Sequence, residues 1–184
     1  MYPYLLPGIL LFLLFASVLF FAYARMHRFR RKTVLNPHQF SRLFELAGRS
    51  LESLDVPVGA ILLYRGEVIG EGYNTVLRNA RAGEHAEVNA ISDAIMRLGM
   101  EAFVSLERDS LKLVTTFEPC LMCAGACINY NIRHVYFLKE KDIFYTGREA
   151  AHFIRYAFSR KQVRHDGEQD ALFEQHPMYP PKRG

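Results

Sequence analysis

This 184-residue chain is informative first for what it lacks. No internal repeat and no low-complexity linker occurs, which excludes solenoid and array architectures. No charged residue lies between Tyr2 and Ala24, and no basic residue precedes that run. A secretory signal peptide, with its positively charged start, is therefore excluded. No acidic residue occurs in the first 32 positions, while Arg25, Arg28, Arg30, Arg31 and Lys32 follow the apolar run at once. These are five of the chain's 23 Lys and Arg, so 18 remain against 19 Asp and Glu. The overall charge of +4 thus comes from one short patch. Beyond it the chain has no basic excess and lacks the bulk positive field expected of a nucleic-acid binder.

The apolar run is long enough to span a hydrocarbon core of about 30 Å. A transmembrane helix is expected over residues 2–24, with a basic juxtamembrane linker over 25–35. A buried core helix is the alternative, and the run's length and uniformity disfavour it. Positive charge is retained on the cytoplasmic side, so a single-pass protein with its N-terminus outside and its domain in the cytoplasm is expected. The basic flank would favour anionic headgroups. Residues 36–170 suffice for one domain with a full core, followed by a tail over 171–184 that contains Pro177, Pro180 and Pro181.

Within that domain, His85-Ala86-Glu87 and Pro119-Cys120-Leu121-Met122-Cys123 carry chemistry. One imidazole and two thiolates can hold a zinc ion and leave its fourth position for water. Such water has a pKa of roughly 7, and Glu87 is a proton shuttle at hand. A structural zinc site needs no such carboxylate and usually has four protein ligands. Residues from Glu84 to about Met100 read as a helix, with Ala86, Ala90, Ile91, Ala94 and Leu98 among its apolar positions. Pro119 precedes a second helix through Ile128, in which positions three apart are neighbours. Helix starts favour thiolate over thiol. A redox Cys-x-x-Cys pair is the competing reading. Cys127 reads as a buried small hydrophobe in preference to a fourth ligand.

The order His-x-Glu then Pro-Cys-x-x-Cys matches the signature of zinc-dependent nucleobase deaminases. Together with Val56-Pro57-Val58-Gly59-Ala60, Gly70-Glu71-Gly72-Tyr73-Asn74 and Glu118 to Ala126, it resembles the tRNA-specific adenosine deaminase and guanine deaminase branch of the cytidine deaminase superfamily. The resemblance covers Val56 to about Leu138. It implies one Zn2+ per chain on His85, Cys120 and Cys123, with Glu87 catalytic. It also implies Asn74 as a base-binding residue, with Ala86 and Pro119 beside the substrate. Asn74 in its own right is equally a turn residue. The implied fold is an α/β/α sandwich around a five-stranded mixed sheet, usually in a homodimer.

The pattern of elements agrees with an α/β sheet covered by helices. Asn36-Pro37 opens a helix with apolar Phe40, Leu43, Phe44, Ala47 and Leu51. Val58–Tyr64 and Glu67–Tyr73 form a hairpin across Arg65-Gly66. Leu111–Phe117 and His134–Leu138 are strands. Lys139 to Tyr156 resembles the RNA-gripping loop of the adenosine deaminases only loosely; its Phe144, Tyr145, Phe153 and Tyr156 suit core packing or stacking on a base. The expected activity is deamination of an amino-purine or amino-pyrimidine as base, nucleoside or nucleotide. The alternatives are adenosine deamination in tRNA and a non-catalytic, zinc-stabilised membrane module.

Overall fold

The computed structural model describes residues 12–21, 35–160 and 168–175. Its elements run α1 (residues 12–21), α2 (Pro37–Ser50), β1 (Gly59–Tyr64), β2 (Glu67–Tyr73), α3 (Val76–Asn79), α4 (Ala86–Leu98), α5 (Met100–Ser105), β3 (Leu111–Phe117), α6 (Leu121–Asn129), β4 (His134–Lys139), α7 (Ile143–Ser159) and α8 (Glu168–Glu174). Internal contacts divide the chain into two units, Met1–Lys139 and Glu140–Gly184.

In the first unit α2 starts as its sequence dictates. The Asn36 side chain accepts the Gln39 N–H at 2.8 Å, the Gln39 side chain in turn accepts the Asn36 N–H at 3.1 Å, and Pro37 occupies the first turn. The hairpin closes through Arg65 and Gly66, both at positive φ (51° and 90°), which suits the right-handed twist of paired strands. Strand order is β2-β1-β3-β4; β1 runs antiparallel to β2 and β3, and β4 runs parallel to β3.

Alternation along β1 sorts the core onto two faces. Ile61 and Leu63 meet Leu43 and Leu46 of α2 and Val114. Ala60 and Leu62 meet Ala86, Ala90, Ile91 and Ala94 of α4, with Cys127 from α6. Helix, sheet and helices thus make three layers. The α4 helix lies almost on the backbone of β2, because Gly70 and Gly72 carry no Cβ. A Cβ at Gly72 would overlap Ala86 O and Ala90 N, and one at Gly70 would overlap Ala90 O and the Ala94 side chain. Gly72→Val should therefore push the first turn of α4 off the sheet and destabilise the domain by about 3 kcal/mol. Urea unfolding measures that loss, and bound zinc should fall with it.

Two expectations are corrected. Among the described residues the sheet has four strands, not five: after β4 the chain enters the 17-residue α7, which begins where Asp142 accepts the Phe144 N–H at 2.7 Å. Among the described residues no helix is long and apolar enough to cross a membrane. At 1.5 Å per residue, the ten described residues of α1 account for about 15 Å of a hydrocarbon core of about 30 Å. The rest of the 2–24 span, and most of the 25–35 linker, lie outside the described residues. Part of the expected tail is helical, since α8 runs to Glu174; positions 176–184 lie outside the described residues.

Candidate metal centre

Both parts of the split motif sit at helix starts. His85 is the N-cap of α4 and Cys120 the N-cap of α6, both in extended backbone, with Pro119 just before Cys120. Glu87 lies in the first turn of α4 and Cys123 in that of α6. The packing of α4 on Gly72 and the parallel β3–β4 crossover through α6 bring the two starts together.

His85 Nδ1 is 3.6 Å from Cys120 Sγ and 3.6 Å from Cys123 Sγ, and the sulfurs are 3.5 Å apart. Tetrahedral zinc, with Zn–S of about 2.3 Å and Zn–N of about 2.0–2.1 Å, sets its ligand atoms about 3.8 Å (S to S) and about 3.6 Å (S to N) apart. The donor set and its spacing therefore fit zinc with three protein ligands and room for a fourth. These three are the group of His, Cys, Asp and Glu that converges in this way among the described residues. Cys123 is fully buried, while His85 and Cys120 are partly open to solvent.

Electrostatics treat the two cysteine ligands differently. The hydrogen bond with Cys123, helped by the Cys123 and Met122 backbone N–H groups and by His85, brings the Cys120 thiol down to about 5. Cys123 is held in its protonated form by that same shared bond and by burial. Glu87 is 4% exposed, with Oε2 3.4 Å from Cys123 Sγ. Burial is the main cause that raises its pKa above the ordinary carboxylate range. All three cysteines are free thiols. Cys127 stands apart from the trio in the core beneath α4, its thiol pushed up to about 11 by burial.

Asn74 is 7% exposed. It accepts the Ala86 N–H at 2.8 Å and donates to Val56 O at 2.9 Å. An amide of this kind retains one hydrogen and one lone pair for a ligand. Ala86 has its side chain in the core and its N–H on Asn74; Pro119 is partly buried.

A hydrogen-bonded clasp around His85 was not read from the sequence. Asn89 Nδ2 reaches Tyr73 O, Thr75 Oγ1 and Glu84 O at 2.8, 3.0 and 3.3 Å. Thr75 donates from its N–H to Glu84 O at 3.1 Å and from its hydroxyl to Glu84 Oε2 at 2.6 Å. Asp55, buried, caps α3 by accepting the Leu77 and Arg78 N–H groups at 2.7 and 3.2 Å. These bonds tie both ends of the loop between Asn74 and His85. Asn89→Leu should remove the side-chain donor to Tyr73 O and Thr75 Oγ1 and cost about 2 kcal/mol. Chemical denaturation should show that loss, with zinc content unchanged because no ligand is touched.

The family model described as the cytidine and deoxycytidylate deaminase zinc-binding region matches residues 37–139. The tRNA-specific adenosine deaminase 2 of Xenopus laevis is 36% identical over 86 residues, which are 46% of this chain and 49% of that protein. The chain thus matches only about half the length of such a curated relative. Among solved structures, a tRNA:A34 deaminase studied for A-to-I editing at the wobble position is 32% identical, with a TM-score of 0.51 over 56% of this chain and 76% of its own. Guanine deaminase from Bacillus subtilis is 26% identical, with a TM-score of 0.58 over 79% of this chain and 100% of its own. The match spans more than half of the 184 residues and contains the whole convergent trio, so the chain belongs to the cytidine and deoxycytidylate deaminase zinc-binding family.

Proposed function

We propose that this chain is a hydrolytic deaminase that exchanges a ring-bound amine for oxygen, with water consumed and ammonia released. The observation that carries this reading is a buried carboxylate, Glu87, beside a His85–Cys120–Cys123 cluster of zinc dimensions. His85, Cys120 and Cys123 would hold a zinc ion, which would acidify water and so supply the nucleophile at neutral pH. Glu87 takes the water's proton on a carboxylate oxygen and delivers it to the ring nitrogen; the proton of the newly added hydroxyl then passes through Glu87 to the departing amine, so that ammonia leaves as the carbonyl forms. Its low exposure keeps bulk water from competing for that proton. Asn74, fixed between Val56 and Ala86, presents its remaining amide valences to the edge of the base, with Ala86 and Pro119 flanking the ring.

The substrate is an amino-purine or amino-pyrimidine presented as base, nucleoside or nucleotide. Near-zero net charge beyond residue 32 supports a small molecule over a polyanion. Adenosine in tRNA is the second reading, supported by the tRNA deaminases among the relatives. Ammonia release by the full chain in detergent, measured on bases, nucleosides, nucleotides and total tRNA with Glu87→Ala as control, separates the two. Release on tRNA alone overturns the small-molecule reading. Silence on every substrate with zinc bound overturns the enzymatic reading in favour of a non-catalytic module.

The same proposal places the chain at a membrane through its charge-free N-terminal run, with the domain on the cytoplasmic side. Support comes from the absence of charge over Tyr2–Ala24 and the five basic residues behind it. Release from membranes by alkaline carbonate would overturn that placement. A homodimer belongs to the same reading; exposed Leu121, Met122 and Ile128 on α6 offer a second copy an apolar surface.

A further inference from the structure

The second unit contains a helix that should not stand alone. None of the 17 residues of α7 is buried, and Phe144 and Phe158 are 84% and 85% exposed. With about 100° between successive residues, Ile143, Ile154 and Phe158 fall along one line of the helix, with Phe144 and Phe153 on its two sides. Alanines, Gly147 and the polar Thr146 fill the rest of that half. Arg148 and Arg155 border the apolar half next to Phe144, and His152 and Ser159 lie on the opposite face. The remaining charge on the helix, Glu149, is held by Lys141 at 2.7 Å. Helices of this length owe most of their stability to a covered apolar face, so α7 requires a surface to lie on.

We infer that α7 lies in the plane of an anionic lipid surface, its Phe and Ile face among the upper acyl chains and its arginines at the headgroups. The distribution of charge selects this occupant. An in-plane helix needs a broad apolar face bordered by cations and little uncompensated negative charge, which is what Arg148, Arg155 and the neutralised Glu149 provide. Arg160, at the C-cap of the helix, adds a further cation at its end; each such cation contributes near anionic lipid. This inference is independent of the deaminase reading. It adds a second membrane contact, in the second unit, to the one proposed for the N-terminal run.

The chain contains no tryptophan, so Phe158→Trp in the full chain creates a single reporter on the exposed face. The protein is combined with vesicles of phosphatidylcholine, alone or with phosphatidylglycerol, and recovered by flotation. On the anionic vesicles the emission should shift to the blue and lose roughly half its intensity to brominated lipids, more to shallow than to deep bromines. Adding Ile154→Glu should abolish the quenching. Flotation with a water-like, unquenched reporter overturns the placement of α7 while leaving the N-terminal anchor standing. A blue-shifted reporter in the absence of lipid also overturns it, assigning the face to a second copy if the shift depends on concentration and to the chain itself if it does not.

Discussion

Glu87→Gln should leave the protein folded with zinc bound and lower ammonia release by about 10³-fold or more. The substitution keeps the shape of the side chain and removes only its ability to accept and return a proton. Stability should not suffer, because a carboxylate that is 4% exposed carries a desolvation penalty that a neutral amide avoids. The contact with Cys123 Sγ at 3.4 Å is open to an amide as well. Metal analysis, thermal unfolding and single-substrate kinetics on the same preparation separate the roles. A rate equal to the parent's would move proton transfer to another group. Loss of zinc would show Glu87 to be a support for the ligands, not a shuttle.

Much of the site was legible because its determinants are local. Pro119 before Cys120, and the alanine spacing after His85, mark two helix starts, and the structure places His85 and Cys120 one step further out, at the caps. Capping geometry is decided by a single residue's backbone, which periodicity does not resolve. The clasp around His85 was illegible for the opposite reason. Asp55 meets Leu77 and Arg78 across more than twenty positions, and Asn89 meets Tyr73 across sixteen. Nothing near Asn89 in sequence marks it as the donor to three acceptors. Read alone, it is one polar position on a helix. The glycines of β2 lie between: the resemblance noted them, but only the alanine face of α4 pressed against them explains why they carry no side chain.

The segment after β4 shows how a resemblance can mislead where spacing does not. Lys139 to Tyr156 was compared with a loop, yet Asp142 is a good N-cap, and an apolar half recurs from Ile143 to Phe158 at helical spacing. Both signals were in the sequence, and α7 follows them. The fifth strand was carried by the resemblance alone and is not found among the described residues. The transmembrane helix rested on length and composition, which establish that a segment can cross a bilayer without fixing where its helix begins and ends.

Cys120→Ala should lower zinc affinity by more than about 100-fold, since even changes to groups outside the ligand set cost 10–100-fold. His85→Ala should do the same, and Cys127→Ala should not, because Cys127 belongs to the core and not to the convergent trio. Stability should fall with the metal, as zinc binding and folding share one free energy. Collapse should be partial, because two apolar clusters hold the sheet between α2 and α4 without help from the ligands. The decisive comparison adds a chelator. In the parent protein, chelation should lower the melting temperature; in Cys120→Ala it should change little, because the stabilising ion is already gone. The two perturbations would then be non-additive, as expected of groups acting through one shared partner. Additive losses would mean that Cys120 stabilises α6 by itself and that zinc binds elsewhere. Cys127→Ala should remain sensitive to the chelator, with any loss of stability coming from packing and adding to that of chelation.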